Sequence, residues 1–149
     1  MALSRSVLRI IDANLNRIGE GLRLLEDVAR LIFDDSSLTE RLKVMRHNLL
    51  SSDISFQHQL IEARDASHDV GINLEGEVKK RDLAELVIAN ARRVQEALRV
   101  MEELTKLSEI KANLKSDIFK EARFDLYTIE QTLFTKLTNG KNKGKERNN

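Results

Sequence analysis

Arginines, asparagines and carboxylates recur at fixed spacing in this chain, and together they suit the binding of an oxyanion. The stretch ANLNRIGEGLRLLE, residues 13–26, returns as ANARRVQEALRVME, residues 89–102, at an offset of 90 − 14 = 76 without a gap. Asn14, Arg17, Glu20, Leu22, Arg23 and Glu26 thereby recur as Asn90, Arg93, Glu96, Leu98, Arg99 and Glu102. A guanidinium fork matches phosphate oxygens bidentately. Arg46, Arg64 and Arg123 sit on or beside the repeated elements and extend the set. The segment Ala63-Arg64-Asp65 to Asp69-Val70-Gly71 adds two carboxylates, and Asp65 and Asp69 could hold Mg²⁺, which takes one or two carboxylates plus substrate phosphates.

Each of these residues also has a plainer role. Arg17–Glu20 and Arg23–Glu26 are i,i+3 ion pairs worth only ~0.2–0.5 kcal/mol each. Asp and Gly are natural turn and capping residues. For any single arginine, pairing with Glu20, Glu26, Glu96 or Glu102 is the simpler account. Ion pairs alone, however, do not require the same residues in both copies. A second buried interface or a polar ligand site does.

Other chemistries lack their residues. No G-x-x-x-x-G-K-[ST] is present, and no G-x-G-x-x-G follows a strand pattern, so phosphate would be held without a standard loop. The absence of cysteine removes disulfides, thiolate nucleophiles and cysteine metal sites. His47 and His58 fall within helical patterns, His68 is the one loop histidine, and no pair has i,i+4 spacing, which argues against zinc.

Helices must position the repeated residues. Leu8, Ile11, Leu15, Ile18, Leu22, Leu25, Ala29 and Ile32 alternate steps of three and four, as a helix with one buried seam requires. Val87, Ala91, Val94, Leu98 and Met101 keep the same phase in the second copy. At ~100° per residue the seam centres between Asn14 and Glu26, with Arg17 and Arg23 ~120° away and Glu20 opposite.

In chain order, Ser4 or Ser6 caps a first helix running to about Phe33. Ser37 or Thr39 caps a second, carrying Leu38, Leu42, Met45, Leu49 and Leu50. Ser51-Ser52-Asp53 bends or breaks it before Phe56, Leu60 and Ile61. The long non-helical stretch, Asp65 to about Val78, reads as functional or mobile. The second repeat helix starts between Lys79 and Asp82 and ends near Ser108. A fourth runs from about Lys111 to Leu137 with Leu114, Ile118, Leu126, Ile129 and Phe134 inward.

Lys43, Arg46 and Leu49 resemble Lys120, Arg123 and Leu126, which extends the duplication to the following helices. The expected fold is all-α: a four-helix bundle of two duplicated helical hairpins with pseudo-twofold symmetry. Residues 1–138 make one domain, and 139–149, NGKNKGKERNN, a disordered tail or a linker.

The chain has 149 residues, no proline, 33% charged residues and a net charge of +1. That size fits one domain with a sizeable core. The balance gives neither a nucleic-acid field nor a field for acidic substrates. The N-terminus lacks a signal-peptide apolar region and no ~20-residue apolar run spans a membrane, so a soluble cytoplasmic protein is expected.

The segments RIIDANLNRIGEGLRLLEDVAR, LTERLKVMRHNL, ARD-x-x-x-DVG, ANARRVQEALRVMEEL and RFDLYTIE, in this order from about Arg9 to Leu133, resemble the alternative hydroxymethylpyrimidine phosphate kinase family of thiamine biosynthesis. That domain is often fused to the N-terminus of thiamine-phosphate synthase. The resemblance implies ATP-dependent phosphorylation of hydroxymethylpyrimidine phosphate to its diphosphate, with Mg²⁺. It carries over Asn14, Arg17, Glu20, Arg23, Arg46, Arg64, Asp69, Asn90, Arg93, Glu96 and Arg99 as motif positions, without assigning roles. Physics assigns the arginines and asparagines to substrate and ATP phosphates, Asp65 and Asp69 to Mg²⁺, and Asp69, Glu20 and Glu96 to the catalytic carboxylates. Closure of the 65–78 loop would exclude water. The synthase barrel is absent from this chain, which reads as a free-standing kinase or a piece of a fusion. The competing expectation is a non-catalytic helical module that dimerises or scaffolds the synthase. A homodimer is expected in either case.

Overall fold

Ser4 starts the first helix as expected, its side chain accepting the Val7 N–H at 3.2 Å. Helix α1 spans Arg5–Asp27 and continues into a wider π-helical turn, Val28–Ile32. Asp34, at φ 49°, then reverses the chain in the left-handed region, which aspartate tolerates better than most residues. Helix α2 spans Ser36–Leu50 and α3 Ile54–Ala63. Two short 3₁₀ helices follow, Ala66–His68 and Val70–Asn73. Helix α4 spans Leu83–Leu104 and α5 Ser116–Glu146. The computed structural model describes residues 3–74, 76, 79–110 and 114–146, and among these the regular structure is entirely helical.

Several local expectations change. Asp35, not Ser37 or Thr39, caps α2 by accepting the Leu38 N–H at 2.9 Å, since a carboxylate already sits at the turn exit. Ser51-Ser52-Asp53 breaks the chain fully: Asp53 caps α3 through Phe56 N–H at 2.8 Å, giving five α-helices where four were read. Asp82 caps α4 in a capping box, with Glu85 returning a bond to the Asp82 N–H. In α5 the buried positions are Phe119, Ala122, Leu126, Ile129 and Leu133, while Ile118 and Phe134 are exposed. The inward set was therefore partly out of phase, because two apolar residues stand side by side at Ile118-Phe119 and at Leu133-Phe134. Ile32 is likewise exposed, the π turn having shifted the phase. The backbone of α5 passes Asn139 and stays helical to Glu146. The lysines of this stretch are good helix formers, and its two glycines, Gly140 and Gly144, cost only about 1 kcal/mol each. The expected start of the fourth helix at Lys111, the loop end at Val78 and residues 147–149 lie outside the described residues.

Core burial follows the repeat. Ile11, Ile18, Leu22 and Leu25 of α1 and Val87, Ala91, Val94, Leu98 and Met101 of α4 are completely buried. Helix α1 packs on α4, α2 and α3 pack on α1, α5 packs on α4, and α2 touches α5. Gly21 lies on the α1–α4 contact, where an added Cβ would lie 2.3 Å from Val94 Cγ2 and 3.3 Å from the Asn90 carbonyl oxygen. Equivalent ion pairs tie each repeat helix to the helix that follows it. Arg46 Nε donates to Glu26 Oε2 at 3.1 Å, and Arg123 donates to both Glu102 oxygens at 2.6 and 3.0 Å. Glu26 and Glu102 are both buried, so removal of either arginine would leave a buried carboxylate with only a longer contact, to Arg23 or to Arg99.

Candidate functional site

A cleft of about 440 Å³ opens between α1, α2 and α3. Its floor is apolar, from Leu15, Gly19, Leu50, Leu60 and Ile61, and its walls carry Asp12, Glu20, Arg23, Arg46 and Arg64 with Asn16, Ser52 and Gln57. The helical phase makes this possible. Asp12, Asn16, Glu20 and Arg23 fall on one side of α1, adjacent to the buried arc that receives α2 and α3.

The three arginines differ in how firmly they are held. Arg64 is clamped by Asp12 in a two-bond fork, Nε to Oδ2 and Nη2 to Oδ1, both at 2.8 Å. That hydrogen-bonded carboxylate raises the Arg64 pKa further above its ordinary value. Arg46 is held on Glu26. Arg23 reaches Glu26 only at 3.8 Å, and its side chain is 58% exposed. Arg23 is the least committed cation of the cleft, and Glu20, exposed at its rim, makes no ion pair among the described residues.

The other sequence candidates lie elsewhere. Asn14 and Asn90 are turned onto their own helices, donating to the Ile10 and Leu86 carbonyls at 2.8 and 2.9 Å. Arg17 donates to Asn14 Oδ1 at 3.4 Å, so the expected Arg17–Glu20 pair gives way to a bond within the helix. Arg99 is drawn to Glu103 at 2.9 Å and to Glu102 at 3.6 Å. Arg93 and Glu96 line a separate depression of about 430 Å³ on α4, with Arg81, Glu85 and Arg92. The duplication therefore does not bring the two polar stripes into one cleft. The second half has no helix equivalent to α3, because α5 runs unbroken past the positions that correspond to the break between α2 and α3.

The loop carboxylates are engaged locally. Asp65 Oδ1 is 2.9 Å from His68 Nδ1 and accepts from Ser67 Oγ at 3.3 Å. The His68 contact, first among its neighbours, holds the Asp65 carboxyl below its usual range. Asp69 is exposed and caps the second 3₁₀ helix through the Gly71 N–H at 2.8 Å. Among the described residues no three His, Asp or Glu side chains cluster to make a protein-only metal site. A magnesium ion carried by phosphates needs fewer protein ligands, and Glu20 in the cleft or Asp69 on the loop could supply one.

Asp12 was missed from sequence because its counterpart in the second copy is Ile88, so the repeat gave no signal there. Asn16, Ser52 and Gln57 were missed for the same reason: they are features of the first half alone.

The described residues thus form an all-helical domain with an arginine-bearing cleft between α1, α2 and α3. Comparison with known proteins narrows this class. The ThiD2 family matches residues 9–132, and the chain belongs to it. A thiamine-phosphate synthase of Rhodopirellula baltica is 48% identical over 111 residues, covering 72% of this chain and 30% of that protein. A thiamine-phosphate synthase of Synechocystis sp. is 38% identical over 130 residues, 86% of this chain and 36% of the relative. One of Gloeobacter violaceus is 38% identical over 128 residues, 85% of this chain and 36% of the relative. The chain therefore spans about a third of the length of these relatives. No solved structure matches it. No helix among the described residues is long and apolar enough to cross a membrane.

Proposed function

We propose that this chain phosphorylates hydroxymethylpyrimidine phosphate to its diphosphate with Mg-ATP, as a cytoplasmic step of thiamine biosynthesis. The observation that carries the reading is the α1–α2–α3 cleft, where Arg23, Arg46 and Arg64 surround an apolar floor. Such a cleft suits a flat, partly apolar ring bearing a phosphate. The match to about a third of the length of proteins named thiamine-phosphate synthase supports the pathway.

In the reaction a substrate phosphate oxygen attacks the ATP γ-phosphorus, the bond from that phosphorus to the β-bridging oxygen breaks, and ADP leaves. A phosphate monoester has a second pKa of about 6, so the attacking oxygen is already anionic at neutral pH. Glu20, Glu96 and Asp69 need not act as bases. Glu96, on the separate α4 surface, drops out of this reading, while Glu20 or Asp69 would hold Mg²⁺, which neutralises the developing charge, with Asp65 keeping the loop in place. Arg23 grips the phosphate, while Arg46 and Arg64, fixed by Glu26 and Asp12, supply a preorganised positive wall. The matching ion pairs at Glu26 and Glu102 support two duplicated hairpins as the scaffold. Calorimetric titration with hydroxymethylpyrimidine phosphate tests the cleft: the wild type binds and Arg23→Ala binds at least tenfold more weakly. Equal binding by both would remove the cleft from the reading.

A non-catalytic module that scaffolds the synthase is the second reading. Val70, Ile72 and Leu74 are exposed on the 3₁₀ segment, as a docking loop would present them. Such a module would bind neither ATP nor the pyrimidine.

A further inference from the structure

The repeat leaves an exposed stripe that the cleft does not use. Ile10, Arg17 and the half-buried Leu24 follow one another at seven-residue spacing along α1, and Leu86, Arg93 and Val100 are their counterparts along α4 at the offset of 76. The register continues past both regular helices to Leu31 and Leu107, both exposed. On each helix the order is apolar, arginine, apolar, apolar. Ile10, Leu86 and Val100 are 44%, 36% and 37% exposed, a costly display for side chains that water disfavours.

The two stripes share one surface. On a helical wheel, positions 17 and 24 lie ~40–60° beyond Gly21, the point where α1 meets α4. Positions 93 and 100 lie ~60–80° beyond Asn90 and ~100–120° beyond Val94 in the same sense, on the side away from Gln95 and Glu102, which bond to α5. Both stripes therefore border the α1–α4 seam on its outer side. Seven-residue spacing is the pattern by which one helix seats along another. Each stripe also carries its own complement: Arg17 with Glu20 one turn on, and Arg93 with Glu96 one turn on.

We propose that this outer α1–α4 face is the interface between two copies of the chain. A twofold dimer needs a surface complementary to itself. The stripe meets that need, because a twofold rotation can set Arg17 of each copy against Glu96 of the other. The face is also large enough. Helices of 23 and 22 residues are ~33 Å long and pack ~9 Å apart, presenting on the order of 600–700 Å², near the ~800 Å² per partner of a stable complex. The repetition of Arg17 and Arg93 in both copies, unexplained by the cleft, follows from this role.

Sedimentation equilibrium of the full chain tests it, with helicity and a cooperative thermal melt measured on every variant. The wild type should sediment at twice 17.1 kDa. Ile10→Glu with Val100→Glu should give a folded monomer. Val44→Glu with Phe124→Glu, at exposed apolar positions on α2 and α5, should remain dimeric. Should the stripe variant fail to melt cooperatively, Arg17→Glu with Arg93→Glu replaces it, and a folded monomer is again expected. A wild-type monomer at ~50 μM, far above the μM dissociation constants of weak specific complexes, would overturn the proposal. So would a dimer that survives the stripe variants, or one split only by Val44→Glu with Phe124→Glu, which would place the interface on α2 and α5.

Discussion

Gly19 and Gly21 sit in the same helix, two residues apart, and substitution of each by alanine should move stability in opposite directions. In a helix interior alanine is favoured over glycine by about 1 kcal/mol, so propensity alone stabilises both variants. At Gly21 the new Cβ would stand 2.3 Å from Val94 Cγ2, more than an ångström inside ordinary carbon contact. Val94 is β-branched and completely buried, and the Asn90 carbonyl at 3.3 Å blocks the other side, so the helices must separate. Overpacking of this kind costs about 3 kcal/mol, which leaves Gly21→Ala destabilised by about 2 kcal/mol net. At Gly19 the nearest atom is Leu50 Cδ1 at 2.9 Å, the far end of a half-buried side chain that can turn aside. The propensity gain should survive there, making Gly19→Ala neutral or up to about 1 kcal/mol more stable. A chain of 149 residues melts with about 3 °C of Tm change per kcal/mol, so thermal denaturation should show Gly21→Ala about 6 °C lower and Gly19→Ala level or up to about 3 °C higher. Equal gains at both positions would refute the close α1–α4 approach.

Three further outcomes are expected. Arg23→Ala should lower kcat/KM at least tenfold with Tm within about 1 °C, since its side chain is mostly exposed and its ion pair long; a parallel loss of stability would make Arg23 structural. Arg64→Ala should cost about 1–3 kcal/mol in chemical denaturation as well as activity, because it leaves the buried Asp12 carboxylate without its fork, whereas Asp12→Asn with Arg64→Ala should recover part of the stability. The Arg123 hydrogen bond holds the Glu102 carboxyl below its ordinary 4.5, so its contribution is complete above that pH and is lost as pH falls through the lower folded value. Melting from pH 7 down to pH 3 should therefore show Tm falling below pH 4.5, with Glu102→Gln less stable at pH 7 and shallower on the acid side; identical acid slopes would exclude the pair as a source of acid lability.

The helices were legible because the α1 and α4 seams are nearly pure: every seam residue of α4 read from sequence is completely buried. Caps were less legible, since Asp34, Asp35, Ser36, Ser37 and Thr39 compete within one turn and only the chain reversal at Asp34 selects Asp35. The phase of α5 was ambiguous where apolar residues are adjacent, as at Ile118-Phe119 and Leu133-Phe134, and packing against α4 chose the second of the first pair and the first of the next. The repeat located Glu20, Arg23 and, with α2, Arg46, and all three line the cleft. It also led away from the cleft, because it weights both halves equally while α3 exists in one half only. Asp12 and Gln57 belong to that asymmetry, and a search for what the copies do not share would have found them.

The most direct test of the account is turnover by the purified chain with Mg-ATP and hydroxymethylpyrimidine phosphate, followed by separation of the pyrimidine products. The account predicts formation of the pyrimidine diphosphate and ADP in equal amounts, dependent on Mg²⁺ and reduced by Arg23→Ala. No diphosphate above the enzyme-free background, together with no calorimetric binding of ATP or of the pyrimidine phosphate, would contradict it and leave the scaffold reading.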